Sequence, residues 1–330
     1  MGRVVLVAGV SRYLGGRFAR LLADDPGVDR VIGVDVVPPP DDLGEVDFVR
    51  ADIRNPVIAR VIERASVDTV AHLNVIATPT GAGGRVSMKD INVIGTMQLL
   101  AACQKAPGLR RLVVKSTGAV YGASPRDPAL FTENTEAKEM PRGGWGKDAI
   151  EVEGYVRGFS RRRPDVEVAT LRLANVIGPG IRTALTDYFA LPVLPTVAGF
   201  DARLQFLHED DAIEVLRRAT VGPAAGVVNV AGDGVLTLSQ VARVLGRPTL
   251  PIPPMFSTTA GRLLRRAGLA DFTPEQLRFL SYGRGMETTR MRHVLGFEPR
   301  YTTREAFADL VRGQDLHGVL PAGAFARAEH

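Results

Sequence analysis

The sequence predicts an α/β protein: a doubly wound parallel sheet with a smaller carboxyl-terminal lobe. Three observations carry that expectation. Short apolar β-branched runs alternate with helical stretches as far as Asn175, the order that parallel strands and their crossovers need. A glycine-containing turn joins the first run to the first helix, and an acid closes the second run. Beyond Gly178-Pro179-Gly180 the alternation loosens, with prolines at 192, 195, 248, 251, 253 and 254.

Residues 3–8 form a run too short for a helix and suited to a strand buried on both faces. Gly9-Val10-Ser11-Arg12-Tyr13-Leu14-Gly15 follows, after which Leu14, Phe18, Leu21 and Leu22 recur at helical spacing. Asp24-Asp25-Pro26-Gly27 breaks that helix, and residues 31–34 are a second strand with Asp35 at its end. This is a Rossmann-type order. Gly9 permits the tight turn and Gly15 the close approach of helix and strand, while the helix N-terminus presents N–H groups to a pyrophosphate. Asp35 would accept hydrogen bonds from the adenosine ribose, which favours NAD over NADP. Arg12 stands where a G-x-x-G-x-x-G pattern has its middle glycine. Its guanidinium either reaches a phosphate, offsetting Asp35 and admitting NADP, or blocks the backbone's approach. The sequence leaves both open.

Residues 48–53 read as the third strand, 56–65 as a helix and 69–73 as the fourth strand. Residues 78–84 are a loop of small residues, and 90–105 a long helix with Ile91, Ile94, Leu99 and Ala102 on or near its apolar face. Residues 111–115 are the fifth strand, ending at Ser116-Thr117. A helix over 149–162 and a sixth strand over 167–173, ending at Asn175, complete the alternation. Strand ends at 8, 35, 52, 73, 116 and 175 should converge on one crevice. The expected division is a dinucleotide-binding domain over 1–178, a partly interleaved substrate lobe over 179–312, and an Ala/Gly-rich tail over 313–330.

Composition narrows the function classes. The net charge is +5, but only five of the 41 basic residues are lysine. An arginine excess of that kind points to compositional bias, so no nucleic-acid partner is expected. The densest run, Arg161-Arg162-Arg163, reads as a solvated helix end where cations complement the dipole. No apolar stretch approaches 18 residues, so no membrane span is expected. Met1 leads almost directly into a strand, leaving no room for a signal peptide. The single cysteine, Cys103, excludes disulfide and cysteine–zinc frameworks, and the five histidines have no metal-ligand spacing. A cytoplasmic protein without a bound metal is expected.

Several segments occur together in order: Ala51-Asp52-Ile53, His72-Leu73, Ile91-Asn92-Val93-Ile94-Gly95-Thr96, Ser116-Thr117-Gly118-Ala119-Val120-Tyr121-Gly122, Leu171-Arg172-Leu173-Ala174-Asn175-Val176-Ile177-Gly178-Pro179 and His208-Glu209-Asp210-Asp211. With the glycine turn and Asp35, they resemble the extended short-chain dehydrogenase/reductases, the NAD-dependent epimerase/dehydratase family. The likeness covers about residues 1–310 and is strongest toward actinobacterial UDP-glucose 4-epimerase-like members. It implies Asp52 and Ile53 at the adenine, Leu73, Asn74, Val75 and Ser116 along the cofactor, and Asn92 beside the active-site helix. Asn175 would lie near nicotinamide and substrate. It also implies a homodimer through helices near 90–105 and 149–162, with Cys103 in or near the seam.

The resemblance implies three catalytic groups: a tyrosine that exchanges the alcohol proton, a lysine four residues on, and a hydroxyl on the substrate oxygen. Thr117 fits the hydroxyl. Aligning Glu153 with the glutamate after the family's lysine puts Trp145 at the tyrosine and Ala149 at the lysine. Independently of that alignment, Arg17, Pro125, Phe159, Pro192, Met286 and Glu305 stand four residues after the six tyrosines, so no Tyr-x-x-x-Lys exists. Lys147 is the substitute adjacent to these positions, although two helical residues turn it about 200° from the face of residue 145. Lys115 at a strand end and the phenol of Tyr121 are further candidates, each also readable as a surface or packing residue. Gly118-Ala119 occupies the dehydratases' Asp-Glu positions, which excludes water elimination by that pair. Leu204 stands where epimerases carry an arginine for the diphosphate, leaving Arg203 beside it and Arg284 as the expected anion-binding substrate residues.

Two functions follow. One is an NAD(H)-binding epimerase or oxidoreductase, acting on a nucleotide-sugar-like or other hydroxyl-bearing small molecule without the usual Tyr/Lys pair. The alternative is a non-catalytic NAD(H)-responsive sensor or scaffold. A fold that has lost the dinucleotide altogether is a more distant third.

Overall fold

The computed structural model describes residues 2–75, 85–141, 143–255 and 274–317. The expected loop over 78–84 and residues 318–330 of the expected 313–330 tail lie outside the described residues. The first part runs β1 (Arg3–Ala8), α1 (Tyr13–Ala23), β2 (Val28–Asp35), β3 (Asp47–Arg50), α2 (Val57–Arg64) and β4 (Thr69–His72). It continues with α3 (Arg85–Lys89), a π-helical turn (Asp90–Gly95), α4 (Thr96–Lys105), β5 (Arg111–Thr117), α5 (Gly144–Arg162) and β6 (Glu167–Leu173). Then come β7 (Asn175–Ile177), α6 (Ala184–Phe189), β8 (Leu194–Val197), β9 (Arg203–Leu204), β10 (Phe206–His208), α7 (Glu209–Val221) and β11 (Gly226–Val230). Short strands β12 (Leu236–Thr237) and β13 (Thr249–Ile252) flank α8 (Leu238–Leu245). Helix α9 (Pro274–Tyr282), β14 (Gly283–Arg284), α10 (Thr289–Leu295) and α11 (Thr303–Gly313) end the described chain.

Seven strands form one parallel sheet in the order β11-β6-β5-β4-β1-β2-β3. The winding reverses between β1 and β4, which opens a crevice at the carboxyl ends of those two strands. Strand β11 comes from beyond residue 178 and completes the sheet's edge, pairing in register with β6.

Side chains alternate along each strand, so neighbouring residues feed opposite layers. Val5, Val7, Val113 and Leu171 pack with Phe18 and Leu22 of α1 and Leu216 of α7. Leu6, Val70, Leu112 and Val114 pack with Ile62 of α2, Leu99 and Cys103 of α4, and Val156 and Phe159 of α5. Each such fully buried Leu, Val or Phe stabilises the fold by about 1.5–3 kcal/mol before entropy is counted. A third apolar cluster fills the remaining lobe, with Phe189 set edge-on against Phe206 and Phe307.

The structure corrects several expectations. Strand β3 stops at Arg50, because Asp52 turns the chain by accepting the Arg54 N–H at 2.9 Å. Leu21 is 37% exposed, and the buried face of α1 runs through Gly15, Gly16, Phe18, Ala19 and Leu22. The stretch from 90 to 105 is not one α-helix. Its π turn changes the phase of the ridge, burying Asn92 and Val93 and leaving Ile94 41% exposed. Helix α5 begins at Gly144, not 149; that glycine takes φ +61°, a conformation other residues rarely adopt. Arg163 is not simply solvated: its guanidinium donates to the carbonyls of Cys103 and Ala106 at 3.1 Å each, tying the end of α5 to that of α4.

Candidate functional site

The glycine turn sets the uncapped start of α1 beside the carboxylate of Asp35. Gly9 has φ +101°, and a Cβ there would press on the backbone of Asn74 at 3.1 Å. A Cβ on Gly15 would lie 2.0 Å from the Gly9 carbonyl oxygen. Neither position tolerates a side chain. No side chain caps α1 at Arg12, and no acid sits in its first turn, so its leading N–H groups remain open to an anion. At the end of β2, Asp35 accepts the Ser11 N–H at 3.1 Å on one oxygen and the Val36 N–H at 2.8 Å on the other. Each carboxylate oxygen keeps a lone pair for a further donor. Ser11 Oγ donates to the Val37 carbonyl at 2.5 Å, which fixes the chain around the acid.

From this turn a cleft of about 790 Å³ extends across the ends of β4, β5 and β6 and under the second lobe. Arg12, Tyr13 and Leu14 line it beside the glycine turn. Leu73, Asn74 and Val75 follow β4, while Lys115, Ser116 and Thr117 end β5. Trp145 of α5, Asn175 of β7 and Arg284 of β14 also line the cleft. The lobe is latched to the turn: Tyr13 Oη donates to Glu209 at 2.5 Å, Arg17 pairs with Glu209 at 2.9 Å, and Glu209 accepts the Gly180 N–H at 2.9 Å.

A buried polar network supports the floor. Ser116 Oγ donates to Glu153 of α5 at 2.6 Å, and Arg172 of β6 donates to the same carboxylate at 2.7 and 3.0 Å. Arg172 lies over the Tyr121 ring, 5.0 Å from its centroid, and donates to the phenol at 2.8 Å. Tyr121 Oη in turn donates to Asn229 at 2.7 Å. Burial pushes this phenol up from its usual value, and with 1% exposure it faces the core, not the cleft. Tyr121 is therefore part of the scaffold.

Thr117 Oγ1 accepts the Ala119 N–H at 3.1 Å, leaving its own proton free to donate into the cleft. Lys115 stands two residues earlier on the same face of β5. Burial lowers its ammonium to about 8, and the Arg12 guanidinium adds to the effect. His72 on the neighbouring strand is fully buried and held neutral, its value lowered to about 4 by burial and then by Lys115. Arg284 donates twice to the Gly122 carbonyl, at 3.0 and 2.5 Å, and stacks over Phe279. Burial brings its guanidinium down to about 10.

Other expected site residues lie outside the cleft lining. The Arg54 guanidinium beside Asp52 holds that carboxyl below the usual range, and Ile53 packs into the core beside Gly95. Asn92 is fully buried, with Nδ2 3.4 Å from Asp148 of α5. Lys147 is exposed on the outer side of α5, as the 200° turn requires, whereas Ala149 is buried in the core. The two arginines part company: Arg284 lines the cleft, and Arg203 reaches toward the Pro128 carbonyl outside it. Among the described residues no group of three His, Cys, Asp or Glu could hold a metal ion, and no helix is long and apolar enough to cross a membrane.

A sequence model of the NAD dependent epimerase/dehydratase family matches residues 5–231. The uncharacterized protein Rv0501 of Mycobacterium tuberculosis is 49% identical over 323 residues, covering 96% of this chain and 86% of its own. A UDP-glucose 4-epimerase of Mycolicibacterium smegmatis is 27% identical over 334 residues, covering 93% and 96%. Among solved structures, the UDP-glucose 4-epimerase of Thermotoga maritima with UDP-glucose aligns with a TM-score of 0.71 at 18% identity, over 94% of this chain and 98% of that one. The NAD complex of the Thermus thermophilus enzyme aligns at 0.70 and 20% identity, over 94% and 99%. At those identities the likeness is one of fold.

Proposed function

Because this chain belongs to the NAD dependent epimerase/dehydratase family, we propose that it holds NAD(H) in the cleft and acts on a hydroxyl-bearing small molecule of nucleotide-sugar type. The observation that carries this reading is the uncapped α1 N-terminus, set beside Asp35 and lining a cleft of about 790 Å³ through Arg12, Tyr13 and Leu14. The residues fit the group. Gly9, Gly15 and the first turn of α1 would hold the pyrophosphate, and Asp35 would accept from the adenosine ribose diol. Arg12 would add charge at the diphosphate. Asn74, Val75, Thr117 and Asn175 would border the nicotinamide end, and Asp52 and Ile53 the adenine end. A bound dinucleotide supplies the hydride donor or acceptor. The chain's own residues bind and orient: Thr117 Oγ1 donates to the substrate oxygen, and the half-buried Arg284 offers cationic charge to a substrate diphosphate. The volume suits a drug-sized ligand, within the roughly 300–1,000 Å³ usual for such sites.

We further assign the exposed Ile94 of the π turn, Met97 and Ala101 of α4 and Tyr155 of α5 to the seam of a homodimer. Calorimetric titration with NAD, NADH, NADP, NADPH and UDP-glucose tests the main reading. The expected result is micromolar binding of the NAD pair, weakened at least tenfold in Asp35→Ala. Absence of binding by all four dinucleotides overturns it. The non-ionisable Trp145 and Ala149 on α5 favour one second reading, a protein that responds to NAD(H) without turnover. Dinucleotide binding with no redox or epimerase activity across a panel of nucleotide sugars would select it.

A further inference from the structure

We propose that Lys115 is the proton-transferring group of the cleft, exchanging a proton at Nζ with a substrate oxygen held by Thr117. It thereby takes over the work of the tyrosine and lysine that α5 lacks. The proposal rests on the dinucleotide reading of the cleft given above.

Elimination and position lead to the same residue. On α5, the residues at the expected catalytic positions are an indole and a methyl group, and Lys147 faces away from the cleft. Tyr121 is locked beneath the floor by Arg172 and Asn229. Lys115 and Thr117, by contrast, project from one face of the same strand, with a rise of about 6.6 Å between their backbones. Both line the cleft. A lysine side chain spans that distance readily, so Nζ and Oγ1 can meet at one substrate oxygen.

The surroundings suit a proton carrier, not a structural cation. No hydrogen bond or ion pair engages Nζ among the described residues. The titratable groups whose charge it feels are Arg12 on the turn and His72 on β4. One repels an ammonium, and the other is neutral near pH 7. Burial and Arg12 together bring Lys115 to about 8, close to the working pH at which a general acid or base is most effective. In the oxidative direction a substrate hydroxyl gives its proton to neutral Nζ, which becomes an ammonium. In the reductive direction that ammonium returns the proton to the carbonyl oxygen. A dinucleotide in the cleft would accept the carbon's hydride in the oxidative direction and return it in the reductive one, which balances the proton moved at Nζ. Thr117, whose Oγ1 accepts the Ala119 N–H, donates its own proton to the substrate oxygen in both directions.

Trace acetylation with acetic anhydride from pH 6.5 to 11, resolved by mass spectrometry, tests this with and without saturating NADH. The chain has only five lysines, so Lys115 and the exposed Lys147 can be followed separately in one sample. The expected outcome is half-maximal reactivity of Lys115 near pH 8, about two pH units below the midpoint of a model-peptide lysine. NADH should protect Lys115 at least tenfold and leave Lys147 unchanged. In parallel, Lys115→Met should retain NADH binding within about fivefold while losing at least 100-fold in hydride exchange. A midpoint for Lys115 near the model-peptide value of about 10.4, no acetylation at any pH, or no protection when calorimetry shows NADH bound overturns the role of Lys115 alone. Failure of NADH to bind the wild-type protein overturns the dinucleotide reading instead.

Discussion

Lys115→Met should make this protein more stable at neutral pH, and the gain should disappear in alkali. The ammonium is lowered from 10.5 to about 8 by burial and by Arg12. At about 1.4 kcal/mol for each tenfold change in proton affinity, holding that charge in the folded state costs about 3 kcal/mol. The sign follows from linkage. The folded state binds this proton less tightly than the unfolded chain, so the cost is present in full below pH 8 and vanishes as pH rises toward 10.5. Methionine has nearly the same length and no charge. Urea unfolding at pH 7 should therefore show the variant about 2–3 kcal/mol more stable than the wild type. At pH 9.5 about 2 kcal/mol of that difference should be gone, because the wild type has recovered it. Contributions from every other titrating group cancel in the comparison. An equal difference at both pH values would mean that Lys115 is an ordinary solvated cation, and the argument for its role would fail with it.

Three further outcomes are expected. Glu153→Ala strands the Arg172 guanidinium and the Ser116 hydroxyl beneath the cleft; loss of a buried ion-pair partner should cost about 3–5 kcal/mol in chemical denaturation. His72 is lowered to about 4 by burial and by Lys115, so its contribution is complete above pH 6.5 and is lost as pH falls toward 4. His72→Gln should therefore flatten the wild type's loss of stability over that window by about 2–3 kcal/mol, read from thermal or urea midpoints. Met97→Glu places a charge in the exposed face of α4; the proposed seam predicts that light scattering shows a dimer for the wild type and a monomer for the variant, with circular dichroism unchanged.

Local chemistry wrote much of this protein directly into its sequence. The short β-branched runs at Arg3–Ala8 and Glu167–Leu173 became strands with the bounds their composition implies, because a run buried on both faces needs no partner to be recognised. Gly9 and Gly15 were legible for a similar reason: the turn they make forbids a Cβ whatever surrounds it. Asp35 and Thr117 were legible because each stands at a strand's carboxyl end. The absence of Tyr-x-x-x-Lys needed only counting.

Other features exist only once the chain is packed. The π turn over Asp90–Gly95 breaks the 3.6-residue period, so periodicity pointed Ile94 inward where the fold turns it out. Arg203 and Arg284 look alike in sequence, yet the pairing of β9 with β14 sends one to Pro128 and the other into the cleft. Glu153 could be read only as an alignment marker, although it is the carboxylate that joins Ser116 to Arg172 across three elements. Lys115 shows the difference most clearly. Its place on β5 was readable, but its lowered proton affinity depends on Arg12, more than one hundred residues away in sequence, and on burial without a counter-ion. Desolvation and long-range charge are properties of the assembled interior, and a sequence carries them only after tertiary contacts bring the groups together.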